Sequence, residues 1–211
     1  MTTQVIVVNG GSSFGKIGIA RCLQAILPRP WIRIGVDDLL DALPPTLMGS
    51  GSGVAFGRQG EVTLGDGFRE IEVAWMAGVV TMARAGARII VDDGFLGGAS
   101  SQERIRAHLE GLGVLWVGVR CNPEIAVGRE IARGDRVIGM AAWQAVAAHQ
   151  GVGCDIEVDT GQTESLDCAR HHGASGLSFL GNVQRQGAAI TLVACQPRVR
   201  HRCDRDMYSL F

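Results

Sequence analysis

One loop constrains this chain more than any other feature. The short apolar run Gln4-Val5-Ile6-Val7-Val8-Asn9 stops at Gly10-Gly11-Ser12-Ser13-Phe14-Gly15-Lys16, and a helical pattern begins at Ile17. The run has the pattern of a strand buried on both faces. A G-x-x-x-x-G-K loop between a strand and a helix is the context that makes the pattern informative. Its glycines let successive backbone N–H groups turn inward as an anion nest, backed by the positive end of the following helix. The loop from Gly10 to Ile17 is therefore the candidate seat for the phosphates of ATP, with Lys16 reaching the β- and γ-phosphate oxygens. Composition sharpens this. Of twenty lysines and arginines, only Lys16 is lysine. Where any cation serves, the chain uses arginine; at position 16 it keeps a compact ammonium point charge.

The remaining chain alternates strand and helix patterns. Strands are expected at Trp31–Val36, Arg88–Asp93, Val114–Cys121 and Asp155–Asp159. Helices are expected at Ile17–Leu27, from Asp38 to about Leu43, and at Phe68–Ala85, Ser101–Gly111, Pro123 to about Ile131 and Met140–Gln150. Between Thr46 and Gly67 the chain is glycine-rich, with weak alternation around Val54–Phe56 and Glu61–Leu64. That predicts a small hairpin over the open edge of the site. Strands alternating with helices at this spacing imply βαβ units: an α/β fold with a five-stranded parallel sheet and helices on both faces. Ligands on such sheets bind beyond the carboxyl ends of the strands.

Several candidate residues fall at those ends. Asp37 follows the second strand and is placed to take the proton of an attacking hydroxyl, while Asp38 suits a helix cap. Asp92 and Asp93 end an apolar strand, where a carboxylate, Asp92 first, would hold Mg²⁺ through water. A structural hydrogen-bonding role competes with that one. Arg129, Arg133 and Arg136 fall between two helices, the layout of a lid, around residues 129–138, whose guanidinium groups neutralise charge on a transferred phosphoryl. A solvated arginine face is the competing account.

The motifs together resemble a known family. The run Val8-Asn9-Gly10-Gly11-Ser12-Ser13 with Gly15-Lys16, then Gly35-Val36-Asp37, then Ala83-Arg84-Ala85-Gly86-Ala87-Arg88-Ile89-Ile90 with Asp92-Asp93 and Phe95-Leu96-Gly97-Gly98, is similar to the chloramphenicol phosphotransferase family. So are Leu115-Trp116-Val117-Gly118-Val119-Arg120-Cys121, Gly128-Arg129-Glu130 and Ala132-Arg133-Gly134-Asp135-Arg136-Val137. The resemblance spans residues 1–168. It implies the P-loop fold of the nucleoside-monophosphate and shikimate kinases, and ATP-dependent phosphorylation of the primary hydroxyl of chloramphenicol, with antibiotic inactivation. It further implies Asp37 as catalytic base and the loop from Gly10 to Ile17 as the ATP site. Phe56 and Trp75 are expected to line an aromatic-accepting pocket. The chain departs from the pattern at Phe14, where the loop has a small residue, and at Ile17, where a Ser or Thr hydroxyl would ligate Mg²⁺. Nucleoside-monophosphate kinases have Gly at that last position, so the hydroxyl is not obligatory. Two other functions stay open: a kinase-fold protein that binds nucleotide with weak or no turnover, and a kinase of the same fold for another small metabolite.

Other features bound the problem. A chain of 211 residues with formal net charge -1 has room for one α/β domain and advertises neither a nucleic-acid surface nor an anionic membrane partner. No apolar run reaches the roughly 20 residues of a membrane helix, and none resembles a signal peptide, so a soluble cytoplasmic protein is expected. The six cysteines show no C-x-x-C pair, which argues against a zinc site. A helix pattern starts at Thr163, yet residues 169–211 lack an apolar stripe and carry clusters such as Arg198-Val199-Arg200-His201-Arg202. A reading-frame shift near Ala169 and a mobile basic extension both account for this tail.

Overall fold

The computed structural model describes residues 2–58, 60–134 and 137–170. Asp135, Arg136 and the tail beyond residue 170 therefore lie outside the described residues. The first strand, β1 (Val5–Asn9), leads through the glycine loop into α1 (Lys16–Ile26). Then come β2 (Ile32–Gly35), α2 (Val36–Ala42), the hairpin strands β3 (Val54–Phe56) and β4 (Val62–Leu64), and α3 (Asp66–Arg84). The second half runs β5 (Ile89–Asp93), α4 (Ala99–His108), β6 (Val114–Arg120), α5 (Pro123–Arg133), α6 (Met140–Ala147) and β7 (Ile156–Asp159). Residues 165–170 are again helical. No helix among the described residues is long and apolar enough to cross a membrane.

Five strands form the parallel sheet that the βαβ pattern predicts, and their order is β2-β5-β1-β6-β7. Period-two alternation along the strands builds a core on each face. Ile6, Val8, Ile90, Val117 and Val119 pack against Ile19, Ala20 and Leu23 of α1 and Ala126 of α5. Val5, Val7, Ile89, Val91 and Trp116 pack against Met76, Val79 and Ala83 of α3 and Ile105 of α4. Each such aliphatic side chain contributes roughly 1.5–3 kcal/mol by leaving water. β1 is wholly buried between the two layers, which fixes where the loop after it emerges.

Most boundaries shift by one to three residues from expectation, and two of the shifts have a local reason. The second strand ends at Gly35, not Val36, because the Asp38 carboxylate accepts the Gly35 N–H at 2.6 Å and so holds the start of the helix, the half of a capping box that a glycine N-cap allows. Asp37 and Asp38 thus stand on the first turn of α2. The helix from Pro123 continues past Ile131 to Arg133 and stops at Gly134, which is left-handed at φ 66°. Arg129 and Arg133 are consequently on α5 rather than between two helices. The last long helix is shorter than predicted, ending at Ala147.

The predicted hairpin forms, with Val54 opposite Leu64 and Phe56 opposite Val62. Its base closes a third apolar cluster with Leu39, Leu43 and Phe68. Its turn lies against the start of α6: a Cβ at Gly60 (φ 84°) would come within 2.2 Å of the Met140 nitrogen. Glu130, buried on α5, accepts the N–H groups of Gly139 at 2.9 Å and Ala141 at 2.7 Å. It thereby pins the entry of α6 to α5, on either side of the predicted lid.

Candidate active site

The parallel sheet delivers its functional side chains to one edge. Asn9, Gly35 and Asp93 end their strands there, with Asn9 in register with Asp93 and Gly35 with Asp92. One cleft of about 1150 Å³, including its open mouth, is lined by Ser12 to Ile17, Asp37, Asp92, Asp93 and Arg133.

The loop has the attributes of a phosphate cradle. Ser13 (φ 61°) and Gly15 (φ 82°) are left-handed, so the backbone curls back over the start of α1. No side chain caps that helix and its first turn has no acid, leaving its positive end to the cleft. The Ser13 hydroxyl oxygen is buried in the cleft wall without a hydrogen-bond partner among the described residues. A buried hydroxyl in that condition fits a site built to receive oxygen acceptors such as phosphate. Lys16 donates to the carbonyls of Gly10 at 2.8 Å and Gly11 at 3.0 Å, which holds its ammonium over the loop.

Two of the features that sequence alone marked as departures take definite positions. Phe14 is 1% exposed, and its ring stacks on His149 with centroids 6.1 Å apart. It anchors the loop in the core instead of crowding the phosphates. Burial pushes His149 down to about 4, so the imidazole is neutral at physiological pH. Ile17 also lines the cleft.

Asp92 is buried and flanked by two cations, Lys16 at 3.8 Å and Arg33 at 3.7 Å. Burial raises its pKa, and those two cations oppose the rise. Burial also pushes Asp93 up to about 6, against the opposing Gly94 N–H at 2.6 Å and with help from the Glu72 charge. No cluster of three or more His, Cys, Asp or Glu side chains able to hold a metal occurs among the described residues. Mg²⁺ in phosphate sites needs only one or two carboxylates plus phosphate oxygens, so Asp92 still fits that role. Asp37 lines the cleft from the first turn of α2.

Arg129 is not free to act as a lid residue. Its guanidinium donates to the Thr160 carbonyl at 2.7 Å and to the Thr160 hydroxyl oxygen at 3.2 Å. The Thr160 hydroxyl donates in turn to the Phe14 carbonyl at 2.7 Å, so this arginine braces the loop from below. Arg133, four residues on, lines the cleft. Phe56 lines it too, but Trp75 packs into the apolar clusters under α3 and does not.

Four supporting residues escaped the sequence. Arg33 bridges Asp38 at 3.0 Å and Asp92, and a side chain at position 35 would meet its Nη1 at 2.7 Å. Gln144 accepts the Ser12 N–H at 2.7 Å. Asn9 donates to the Ala148 carbonyl at 2.7 Å and accepts the Phe95 N–H at 2.8 Å. Thr160 is the fourth. The glycine after Arg33-Ile34 was the one available signal, since it marks a close approach.

Comparisons with known proteins agree with this geometry. Residues 3–174 match the family model described as chloramphenicol phosphotransferase-like protein. A provisionally named O-phosphotransferase of Mycobacterium tuberculosis is 30% identical over 183 residues, covering 79% of this chain and 79% of that protein. Among solved structures, a sugar kinase of Janibacter sp. HTCC2649 superposes with a TM-score of 0.60 at 18% identity, covering 82% of this chain and 93% of its own. A shikimate kinase of Acinetobacter baumannii, in complex with shikimate, does so with a TM-score of 0.51 at 16% identity, covering 86% and 97%. These last two share the fold. The sheet order, the glycine loop and the match over most of its length place this chain in the chloramphenicol phosphotransferase-like family, among the phosphotransferase enzymes.

Proposed function

We propose that the protein transfers the γ-phosphoryl group of ATP, with Mg²⁺, to the primary hydroxyl of chloramphenicol or a related small molecule, and so inactivates an antibiotic. The observation that carries this reading is the shared cleft. The phosphate loop, Asp37 and a set of apolar side chains, Val54, Phe56, Val62, Phe68 and Leu96, all line it. A neutral acceptor with an apolar body suits such walls better than a polyanion does.

Each residue then has a task. The loop amides and Lys16 bind phosphate oxygens, and Lys16 exchanges its loop carbonyls for them. Mg²⁺, held through Asp92, would neutralise charge on the β- and γ-phosphates. Asp37 orients the acceptor hydroxyl and takes its proton as the oxygen attacks phosphorus. Arg133 meets charge on the transferred group from the end of α5; Arg136, beyond the described residues, is assigned the same task from its place in the motif. The glycine hairpin covers the acceptor.

The test is transfer from labelled ATP to chloramphenicol and to a panel of hydroxyl-bearing antibiotics and metabolites. Phosphorylated chloramphenicol is expected. Asp37→Asn should cut turnover by about 10²–10⁴-fold with nucleotide affinity nearly intact. Lys16→Ala should lose nucleotide binding. Transfer to another metabolite alone would replace the acceptor, and ATP binding with no transfer to anything would replace the enzyme.

A further inference from the structure

The cleft contains a guanidinium that is already occupied. Arg69, on the first turns of α3, donates to Glu72 Oε2 at 2.7 Å, and both side chains line the cleft. Glu72 is 19% exposed, so this pair is less screened than a surface pair. The same Glu72 oxygen lies 4.0 Å from Nε of Arg104, which reaches over from α4 and donates to the Ser101 hydroxyl at 3.0 Å. One carboxylate thus faces two arginines, Arg69 at the chamber wall and Arg104 from α4. The same cleft is lined by Asp37 and Asp93, and its other cations among the described residues are Lys16 of the phosphate loop and Arg133 of α5.

Resting on the reading above, we propose that Glu72 is the specificity-determining residue of the acceptor chamber, masking Arg69 so that acceptors bearing a carboxylate or phosphate are rejected and uncharged hydroxyl compounds are accepted. The logic is that of specificity by exclusion. An anionic acceptor meets the carboxylates of Glu72, Asp37 and Asp93 and finds Arg69 engaged. It must either displace Glu72 from Arg69 or remain an unpaired charge in an apolar chamber, and both are costly. A neutral acceptor meets neither obstacle. Once Glu72 is neutral, the same wall offers Arg69 as a fork for a planar carboxylate.

The experiment compares two primary alcohols with the same apolar body, one uncharged and one carrying a carboxylate far from the hydroxyl. Transfer rates and, by calorimetry, dissociation constants are measured for wild type, Glu72→Gln and Glu72→Gln/Arg69→Met. Wild type should prefer the uncharged alcohol by about tenfold or more, as like charges across an interface require. Glu72→Gln should lower that ratio at least about tenfold, and removing Arg69 as well should restore most of it. Restoration separates an unmasked guanidinium from mere loss of negative charge. A ratio unchanged by Glu72→Gln, in a protein whose nucleotide affinity shows an intact fold, would overturn the proposal. So would an equal gain in the double variant. If the alcohols bind and no transfer occurs, the transferase reading falls, yet the ratio of dissociation constants still decides this one. If neither alcohol binds to any of the three proteins, the chamber is not an acceptor site and both readings fail.

Discussion

Replacing Arg33 with methionine tests how the site is braced. Arg33 pairs both with Asp38, on the helix bearing Asp37, and with the buried Asp92. Its arm to Asp38 is a 3.0 Å pair in which Asp38 is 42% exposed, so solvent screening limits it to about 0.5–1 kcal/mol. Its arm to Asp92 is longer, at 3.7 Å, but Asp92 is only 8% exposed. Leaving a buried charge wholly uncompensated costs about 3–5 kcal/mol. Lys16 at 3.8 Å remains as a partner, so roughly half of that cost applies, about 2 kcal/mol. The two arms together predict that Arg33→Met destabilises the fold by about 2–3 kcal/mol, a fall of about 1 M in the urea midpoint. The assay is urea unfolding of wild type, Arg33→Met, Asp92→Asn and the double variant. Residues sharing an ion-pair network should couple, here by about 1–2 kcal/mol, because methionine costs less once Asp92 no longer carries charge. A destabilisation under about 0.5 kcal/mol, or strictly additive effects, would refute the claim that Arg33 compensates Asp92. Lysine at position 33 should recover less than half of the loss, since one ammonium does not reach both carboxylates.

Asp93 keeps its proton up to about pH 6 in the folded protein but releases it near 3.8 when unfolded. The folded state therefore binds more protons between those values, and this group's contribution to stability falls as pH rises from about 4 to about 6. In Asp93→Asn that fall is absent, so the melting temperature of the variant minus that of wild type should climb across the window and level off above it; a flat difference would count against the shift. Ile17→Ser adds a hydroxyl where isoleucine lines the phosphate end of the cleft. A Mg²⁺ titration of transfer rate should show half-maximal activity at a concentration about 10–100-fold lower, the usual worth of a supporting metal contact, and overlapping curves would show that position 17 does not govern the metal.

The parts of this site legible in the sequence are those whose physics is local. β1, the glycine loop and α1 follow one another without interruption, so periodicity and loop chemistry sufficed to place the phosphate seat. The hairpin over Val54–Leu64 was readable for the same reason, from glycine content and alternation. Asp38 does hold the start of its helix, though from the third helical position back to the Gly35 N–H and not as the N-cap the sequence suggested. Trp75 went astray because an aromatic in an amphipathic helix has two faces available. Only the packing of α3 on the sheet decides which of them it takes.

What stayed hidden is the frame around the loop, and its partners explain why. Gln144 holds the Ser12 amide, Thr160 holds the Phe14 carbonyl, and His149 holds the Phe14 ring, each from a segment far along the chain. No pattern near residue 14 reports them. The motif alone made Phe14 look like an obstruction in a loop that wants small side chains. In the fold it is the loop's anchor, because α6 and the end of β7 supply a buried slot for it. The same contacts give the loop a second dependence. Gln144 on α6 and His149 just after it follow the segment expected to form a lid, and Glu130 fixes the entry of α6 through Gly139 and Ala141. A displacement of α6 is therefore felt at Ser12 and Phe14 through a 2.7 Å hydrogen bond and a stacked ring. The loop's shape belongs to the second half of the chain as much as to its own glycines.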